Sequence, residues 1–285
     1  MDIFVRILNP ILMILFGLGA GIIVAKQRRV EWRLYGIGAL TFIGSQVLHI
    51  PFNTWVLNPI LQTLPGNAKY EGMVRIVVAI ALGLSAGVFE ETFRYFVYRF
   101  WIKGARQWKD ALMFGAGHGG IEAIVLGVIT LLTVINLIAI MDKDLNSLVP
   151  ESQLSVAQAQ ITAFWAAQWY EVLLGAGERL IALCFHISAS VLVLQVFRRR
   201  NILWLFAAIG LHALLDSLAV YGSQTWGMYV TEGVLAIFSV FCLAIIFWLK
   251  TDDESKDAVM PESPSFPELQ KVEATTDQIE DSKYA

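Results

Sequence analysis

The chain has 285 residues, of which 56% are hydrophobic and only 16% are charged. A soluble domain carries about 25% charged residues, so this composition excludes an ordinary soluble protein and predicts a multi-pass protein of the cell membrane, with the lipid bilayer as its first partner. The net charge of −3 and the short basic clusters between apolar runs give no reason to expect a nucleic-acid partner, and the two cysteines, both within apolar runs, predict buried thiols rather than a disulfide or a CxxC metal motif.

Seven apolar runs long enough to cross a bilayer follow one another along the chain. Basic clusters stand after the first, third and fifth runs ("KQRRVEWR", "YRFWIKGARQWK" and "FRRR"), whereas the alternate connections hold few basic residues. Because basic loops stay in the cytoplasm, this alternation predicts an N-terminus outside and a C-terminus inside the cell. The expected fold is an all-α, polytopic membrane helix bundle of about seven transmembrane helices, at about 5–25, 35–60, 74–101, 110–140, 178–197, 201–221 and 227–249.

Three further segments have their own patterns. The second run contains Pro51, which predicts an end or a kink near "HIPFNTW". Polar and aromatic residues interleave over 152–177, which predicts an amphipathic helix at the outer surface, ended by Gly175 and Gly177. Residues 251–285 are acidic and dotted with prolines, which is typical of a disordered tail, so the predicted domains are a catalytic bundle over 1–250 and a cytoplasmic tail.

Ionisable residues inside membrane helices are costly and usually face protein or a water-filled cavity. Counted at 1.5 Å per residue from the basic end of each run, Glu90 lies about 14 Å deep, His118 about 12 Å, and His186 and His212 each about 16 Å. Four neighbouring helices therefore place such groups at one level. The candidates are Glu90, Glu91, Arg94, His118, Glu122, His186, His212 and Asp216.

Spacing within the helices refines this set. Glu90 and Glu91 point about 100° apart, so one is expected to act in chemistry while the other pairs with Arg94 or with a neighbouring helix. The group could act on water in two ways. Histidines and a glutamate could bind Zn²⁺ with an open position, or a buried glutamate could be a general base without metal. The same carboxylate and histidine chain could instead serve a proton-coupled transporter or channel, and a non-catalytic membrane scaffold is a third reading.

Four stretches of the chain together resemble a known family: "FEETFRY", "FGAGHGGIE", "GERLIALCFHISASVLV" and "LHALLDS". They are similar to the YhfC-type intramembrane metalloproteases, which are related to the CAAX prenyl proteases and the bacteriocin-processing enzymes. That superfamily has a double glutamate with a downstream arginine, then F-x-x-x-H, here Phe114 to His118, then H-x-x-x-N/D, here His212 to Asp216. One departure is that Arg94 follows the glutamate pair after two residues, where the CAAX enzymes usually have three. Substrate preferences of the prenyl proteases are therefore not carried over.

The resemblance implies an intramembrane protease that hydrolyses a peptide bond in a membrane-embedded or membrane-associated polypeptide, from a site opening toward the cytoplasmic half. Glu90 or Glu91 would activate the water, and His118 and His212 would be metal ligands or oxyanion donors. Asp216 is expected to orient His212, with Phe114 packed behind the site. The Zn²⁺ ligands, if a metal is bound, would come from His118, His186, His212 and Glu122.

Overall fold

A computed structural model describes residues 2–64 and 72–251 of the chain. Apart from Thr251, the predicted cytoplasmic tail lies outside these residues. Nine α-helices follow one another in the described parts: α1 (Asp2–Arg28), α2 (Trp32–Phe52), α3 (Asn58–Gln62), α4 (Met73–Phe96), α5 (Trp108–Ala139), α6 (Glu151–Ala166), α7 (Trp169–Arg198), α8 (Leu203–Thr225) and α9 (Met228–Trp248). Short π-helical turns at Asn53–Leu57 and Val97–Trp101 extend α2 and α4, and a 3₁₀ turn at Leu145–Ser147 precedes α6.

All regular secondary structure in the described residues is helical, which confirms the predicted all-α bundle. Among these residues, six helices are long and apolar enough to cross a membrane: α1, α4 with its π-helical extension, α5, α7, α8 and α9. The protein is therefore a multi-pass membrane protein. The second predicted span corresponds to α2, which is not one of the six, so a seventh crossing and the orientation of the termini stay predictions.

The second predicted run changes its helical geometry where the sequence has proline. The α-helix passes through Pro51 but gives way after Phe52 to a π-helical turn, and the backbone N–H of Asn53 bonds the carbonyls of His49 and Ile50. Proline lacks the N–H that would continue the regular ladder. The helix therefore changes to a π-helical turn within "HIPFNTW" but does not end there, since the helical path continues to Gln62. The predicted kink stays a prediction.

The predicted boundary of the amphipathic segment 152–177 is wrong. Helix α6 already ends at Ala166, and α7 begins at Trp169 and runs on through both glycines. Gln168 and Glu171 explain the boundary because their side chains and backbone N–H groups form a reciprocal capping box that starts α7. Arg6 of α1 binds the two carbonyls at the end of α6, at 3.1 and 2.9 Å.

The spanning helices alternate in direction and give the bundle two distinct ends. The basic end carries the connections after α1, before α5 and after α7, where Trp108 Nε1 donates to the Ile246 carbonyl at 2.9 Å. The opposite end carries the starts of α7 and α9, where the Tyr229 hydroxyl donates to Glu171 at 2.7 Å. These contacts define the direction in which depth inside the bundle is described below.

Glycines allow α5 to lie close to α2. A Cβ atom at Gly117 would overlap the carbonyl oxygen of Tyr35, and one at Gly38 would overlap the carbonyl oxygen of Phe114. Such bare faces let two helix backbones approach beyond the usual side-chain limit. The contact fixes the height of α2 against α5 next to His118, and so positions the side chains described next.

Candidate active site

The predicted convergence of ionisable side chains is present in the structure. Glu90 of α4, His118 of α5 and His186 of α7 are buried, and one potential ligand atom from each lies within 4.8 Å of the others. His212 of α8 is adjacent, with its ring centroid 5.9 Å from that of His186. The depth alignment read from the sequence therefore corresponds to a single cluster on four helices.

Glu90 has both carboxylate oxygens engaged, and within the described residues none of its hydrogen bonds comes from an arginine or a lysine. Its Oε2 lies 3.0 Å from Nε2 of His118, and its Oε1 accepts a hydrogen bond from Nε2 of Gln46 at 2.8 Å. The side chain is 8% exposed, and it lines a cavity. Glu90 is thus a carboxylate held by polar groups without being neutralised by an arginine.

Glu91 lies in a different environment on the next face of the same helix. Arg94 Nη1 donates to its Oε1 at 2.6 Å, His212 Nδ1 lies 2.9 Å from the same oxygen, and both Glu91 and Arg94 are fully buried. Nε2 of His212 is 3.5 Å from Asp216 Oδ2. The aspartate therefore lies next to the histidine that it is expected to orient. The two neighbouring glutamates therefore have different roles: Glu91 forms an ion pair with Arg94 within α4 and joins α4 to α8 through His212, and Glu90 faces the cluster.

His186 is held by a carboxylate that the sequence suggested as a ligand. Its Nε2 lies 2.5 Å from Glu122 Oε2, and the other oxygen of Glu122 accepts from Arg179 at 2.5 Å. Arg94 Nη2, which can only donate, lies 3.4 Å from Nδ1 of His186. The tautomer that fits both contacts has its proton on Nε2, pointing to Glu122, and its lone pair on Nδ1.

The donor set of this cluster fits a zinc ion. Two imidazoles and one carboxylate are a typical set for a catalytic Zn²⁺, which keeps one position open. The 3.0 Å between Glu90 Oε2 and His118 Nε2 is near the separation of about 3.4 Å between two ligands bound tetrahedrally at about 2.1 Å. Glu122 behind His186 is the carboxylate that a ligating histidine commonly has on its other nitrogen, and Nδ1 of His186 would bind an ion in place of its contact with Arg94. Nδ1 of His118 is buried without a hydrogen-bond partner in the described parts of the chain.

The set that the geometry assembles differs from the predicted ligands His118, His186, His212 and Glu122. Glu90 joins the two histidines, because Glu122 is paired with Arg179 and His186, and His212 is engaged by Glu91. Phe114, expected behind the site, is fully buried and packs edge-on against Tyr98 at 4.9 Å on the basic side.

A cavity of about 960 Å³ leads to the cluster and is lined by Glu90, His186 and His212 at its inner part. Its wall continues to Ser223 in the last turn of α8 and Met228 in the first turn of α9. Both positions belong to the end opposite the basic connections. The cavity thus extends to the end opposite the basic connections, and the fully buried residues Arg94, Tyr98 and Phe114 lie on its basic side. The opening toward the cytoplasmic half stays a prediction, as does the orientation of the chain.

Comparison with known proteins agrees with these features. The YhfC intramembrane metalloprotease family matches residues 12–239, which include every side chain of the cluster. The chain belongs to this family. The uncharacterized membrane protein YhfC of Bacillus subtilis (strain 168) is 33% identical over 214 residues, which are 73% of this chain and 80% of the relative. No solved structure matches the chain.

Several side chains around the cluster of this YhfC-family protein were missed by sequence reasoning. Gln46 binds Glu90, Arg179 binds Glu122, and Glu178 and Glu232 line the same cavity. A polar residue within an apolar run was the available signal for Gln46. The predicted fifth span began at residue 178, which put Glu178 and Arg179 at its outer end, whereas α7 begins at Trp169 and places both residues inside the helix.

Proposed function

We propose that the protein is an intramembrane endopeptidase that hydrolyses a peptide bond in a membrane-embedded or membrane-associated polypeptide. The observation that carries this proposal is the cluster of Glu90, His118 and His186 within a membrane helix bundle, of which Glu90 and His186 line a cavity. Peptide hydrolysis needs a bound water, a group that activates it and room for a polypeptide, and the cavity provides a place for all three.

Glu90, His118 and His186 would hold the metal, for which Zn²⁺ is the best fit. When bound, Zn²⁺ lowers the pKa of a water ligand to about 7 and polarises the carbonyl of the substrate. The cavity side of the cluster is the side from which a substrate can reach the open position, since Glu90, His186 and His212 line it there.

The remaining side chains fix this arrangement. Arg94 neutralises Glu91, and the pair keeps His212 at the inner wall of the cavity. Glu122 keeps the proton of His186 on the nitrogen that faces away from the cluster. We therefore assign the reactive carboxylate to Glu90 and a structural role to Glu91.

The walls of the cavity suit an apolar polypeptide. Apolar side chains of two helices line it and are exposed: Val47 and Ile50 of α2, and Val125 and Ile129 of α5. A substrate segment could thus pass from the lipid side between α2 and α5 without losing apolar contacts. It would reach Glu90 from the half of the bundle opposite the basic connections.

The proposal is tested with purified protein reconstituted in liposomes together with a library of hydrophobic peptides, analysed by mass spectrometry. We expect wild type to release defined fragments, and Glu90→Gln to release none while keeping its helix content. Identical fragment profiles for wild type and Glu90→Gln would refute the peptidase assignment. Proton flux across the same liposomes that is lost in His118→Ala, without any cleavage, would support the transporter reading instead.

A further inference from the structure

Gln46 differs from two other polar residues of α2, Thr41 and Ser45, in the partner of its side-chain hydrogen bond. Thr41 and Ser45 are buried and donate to carbonyls of their own helix, each at 2.7 Å. Gln46 instead reaches across to α4, where its Nε2 donates to Glu90 Oε1 at 2.8 Å. This side chain therefore serves another helix, and it lines the cavity at the cluster.

Because of the contact with Gln46, the two carboxylate oxygens of Glu90 have different partners. Gln46 holds Oε1, so Oε2 is the oxygen that lies against His118 at 3.0 Å. A carboxylate can only accept here, so the amide nitrogen of Gln46 must face Glu90 and the direction of the bond is unambiguous. Gln46 thereby selects which oxygen of Glu90 faces the two histidines.

The chemical type of this partner also matters. Glu91, one residue on, is bound by the cation Arg94. A second arginine at position 46 would repel a metal cation from the site, because two like charges a few ångströms apart repel strongly inside a protein. A neutral amide satisfies Oε1 and leaves the negative charge of Glu90 available to a cation.

The position of Gln46 is set by a rigid contact. Gly38, where α2 lies directly against the backbone of α5 at Phe114, precedes Gln46 by about 12 Å of helix at 1.5 Å per residue. Because that contact leaves no room for α2 to slide, the amide of Gln46 is held at the height of Glu90.

We propose that Gln46 is a positioning residue for the metal site, which binds Oε1 of Glu90 and so presents Oε2 to the ion held with His118 and His186. This inference rests on the proposed function for the existence of that ion. It extends the site by a side chain on a fourth helix, α2, and it assigns no chemical step to Gln46 itself. Polar groups that orient metal ligands typically change metal affinity about 10- to 100-fold when they are removed.

The experiment measures Zn²⁺ affinity of the purified full-length protein in detergent by competition with a chelator. Gln46→Met keeps the length of the side chain and removes the donor, and we expect it to weaken Zn²⁺ binding by about 10- to 100-fold. In a Glu90→Asp background, which keeps a carboxylate ligand but shortens it away from Gln46, the same Gln46→Met change should have no further effect, since Gln46 acts through Glu90. The matched control is Gln195→Met: Gln195 is another helical glutamine, buried where Gln46 is half-buried, but it bonds the Val191 carbonyl in its own helix, so Zn²⁺ affinity should not change.

The outcomes separate this inference from the proposed function. Equal Zn²⁺ affinity in wild type and Gln46→Met, or a loss of the same size in the Glu90→Asp background, would overturn the role of Gln46 and leave the peptidase proposal standing. The expected Zn²⁺ pattern in a protein that cleaves no peptide would support Gln46 and overturn the peptidase. Wild type that binds no stoichiometric Zn²⁺ would overturn the metal site and the role of Gln46 with it.

Discussion

The same substitution at two consecutive residues should have opposite consequences. Glu90→Gln is expected to remove metal binding and leave the fold intact, whereas Glu91→Gln is expected to destabilise the bundle. The reason is the difference in partners: Glu91 neutralises the fully buried Arg94, whereas Glu90 has a neutral amide and a histidine. Each variant is the matched control for the other, since the chemical change, the helix and the depth are the same.

The expected magnitude follows from burial. Removing one partner of a buried ion pair leaves the other charge uncompensated and costs about 3–5 kcal/mol. Glu91 and Arg94 are both fully buried and only 2.6 Å apart, so Glu91→Gln should fall in this range. Glu90→Gln keeps a hydrogen-bonding group beside Gln46 and His118 and should cost less than about 1.5 kcal/mol in the metal-free protein, the size of an ordinary hydrogen bond.

The assay is reversible unfolding in mixed micelles, followed by the fluorescence of the nine tryptophans, with a chelator present so that metal binding does not contribute. Arg99→Met, an exposed arginine close to Arg94, should change the free energy of unfolding by less than about 0.5 kcal/mol and controls for charge removal as such. A loss at Glu91→Gln no larger than that at Glu90→Gln would refute the assignment of Glu91 as the structural carboxylate.

Three further predictions concern the surroundings of the cluster. Glu122→Gln should weaken Zn²⁺ binding by about 10- to 100-fold because it weakens the hold on His186; chelator competition measures this, and unchanged affinity would contradict the ligand role of His186. Gly117→Ala should destabilise the protein by about 1–3 kcal/mol, since the added methyl group overlaps the Tyr35 carbonyl; a wild-type unfolding midpoint would show that α2 can move away. In a variant without native cysteines, Ser223→Cys should react in intact cells with a membrane-impermeant thiol reagent. A cysteine in the α7–α8 connection should not react, and the reverse labelling would overturn the predicted orientation.

The depth of the site within the bundle could be predicted from the sequence, but the hydrogen bonds and ion pairs of its side chains could not. Helices in alternating directions have a known rise per residue, so the depths of Glu90, His118, His186 and His212 could be calculated without coordinates. The calculation says nothing about rotation of each helix about its axis or about the partners across the bundle. For this reason the convergence was predicted. The possible ligand set was not, because Glu90 takes the place of the predicted Glu122 and His212.

The sequence also did not show at which end of the bundle the cavity opens. The ionisable groups are nearer the basic end of their helices, yet the cavity extends to the opposite end. Which side is open depends on whether side chains fill the space between helices, and Phe114, Tyr98 and Arg94 fill it on the basic side. Whether the space between helices is filled depends on side chains from several helices. The sequence of any one helix therefore shows no periodic signal for it.

The division between Glu90 and Glu91 shows where local spacing stops being decisive. Arg94 is four residues from Glu90 and three from Glu91, and both spacings allow an ion pair on a helix. The structure pairs Arg94 with Glu91, on the side where His212 also reaches Glu91. Gln46 and His118, from two other helices, engage Glu90. The neighbours therefore decide which glutamate is neutralised, and a change at Gln46 should alter metal binding even though α2 supplies none of the proposed ligands.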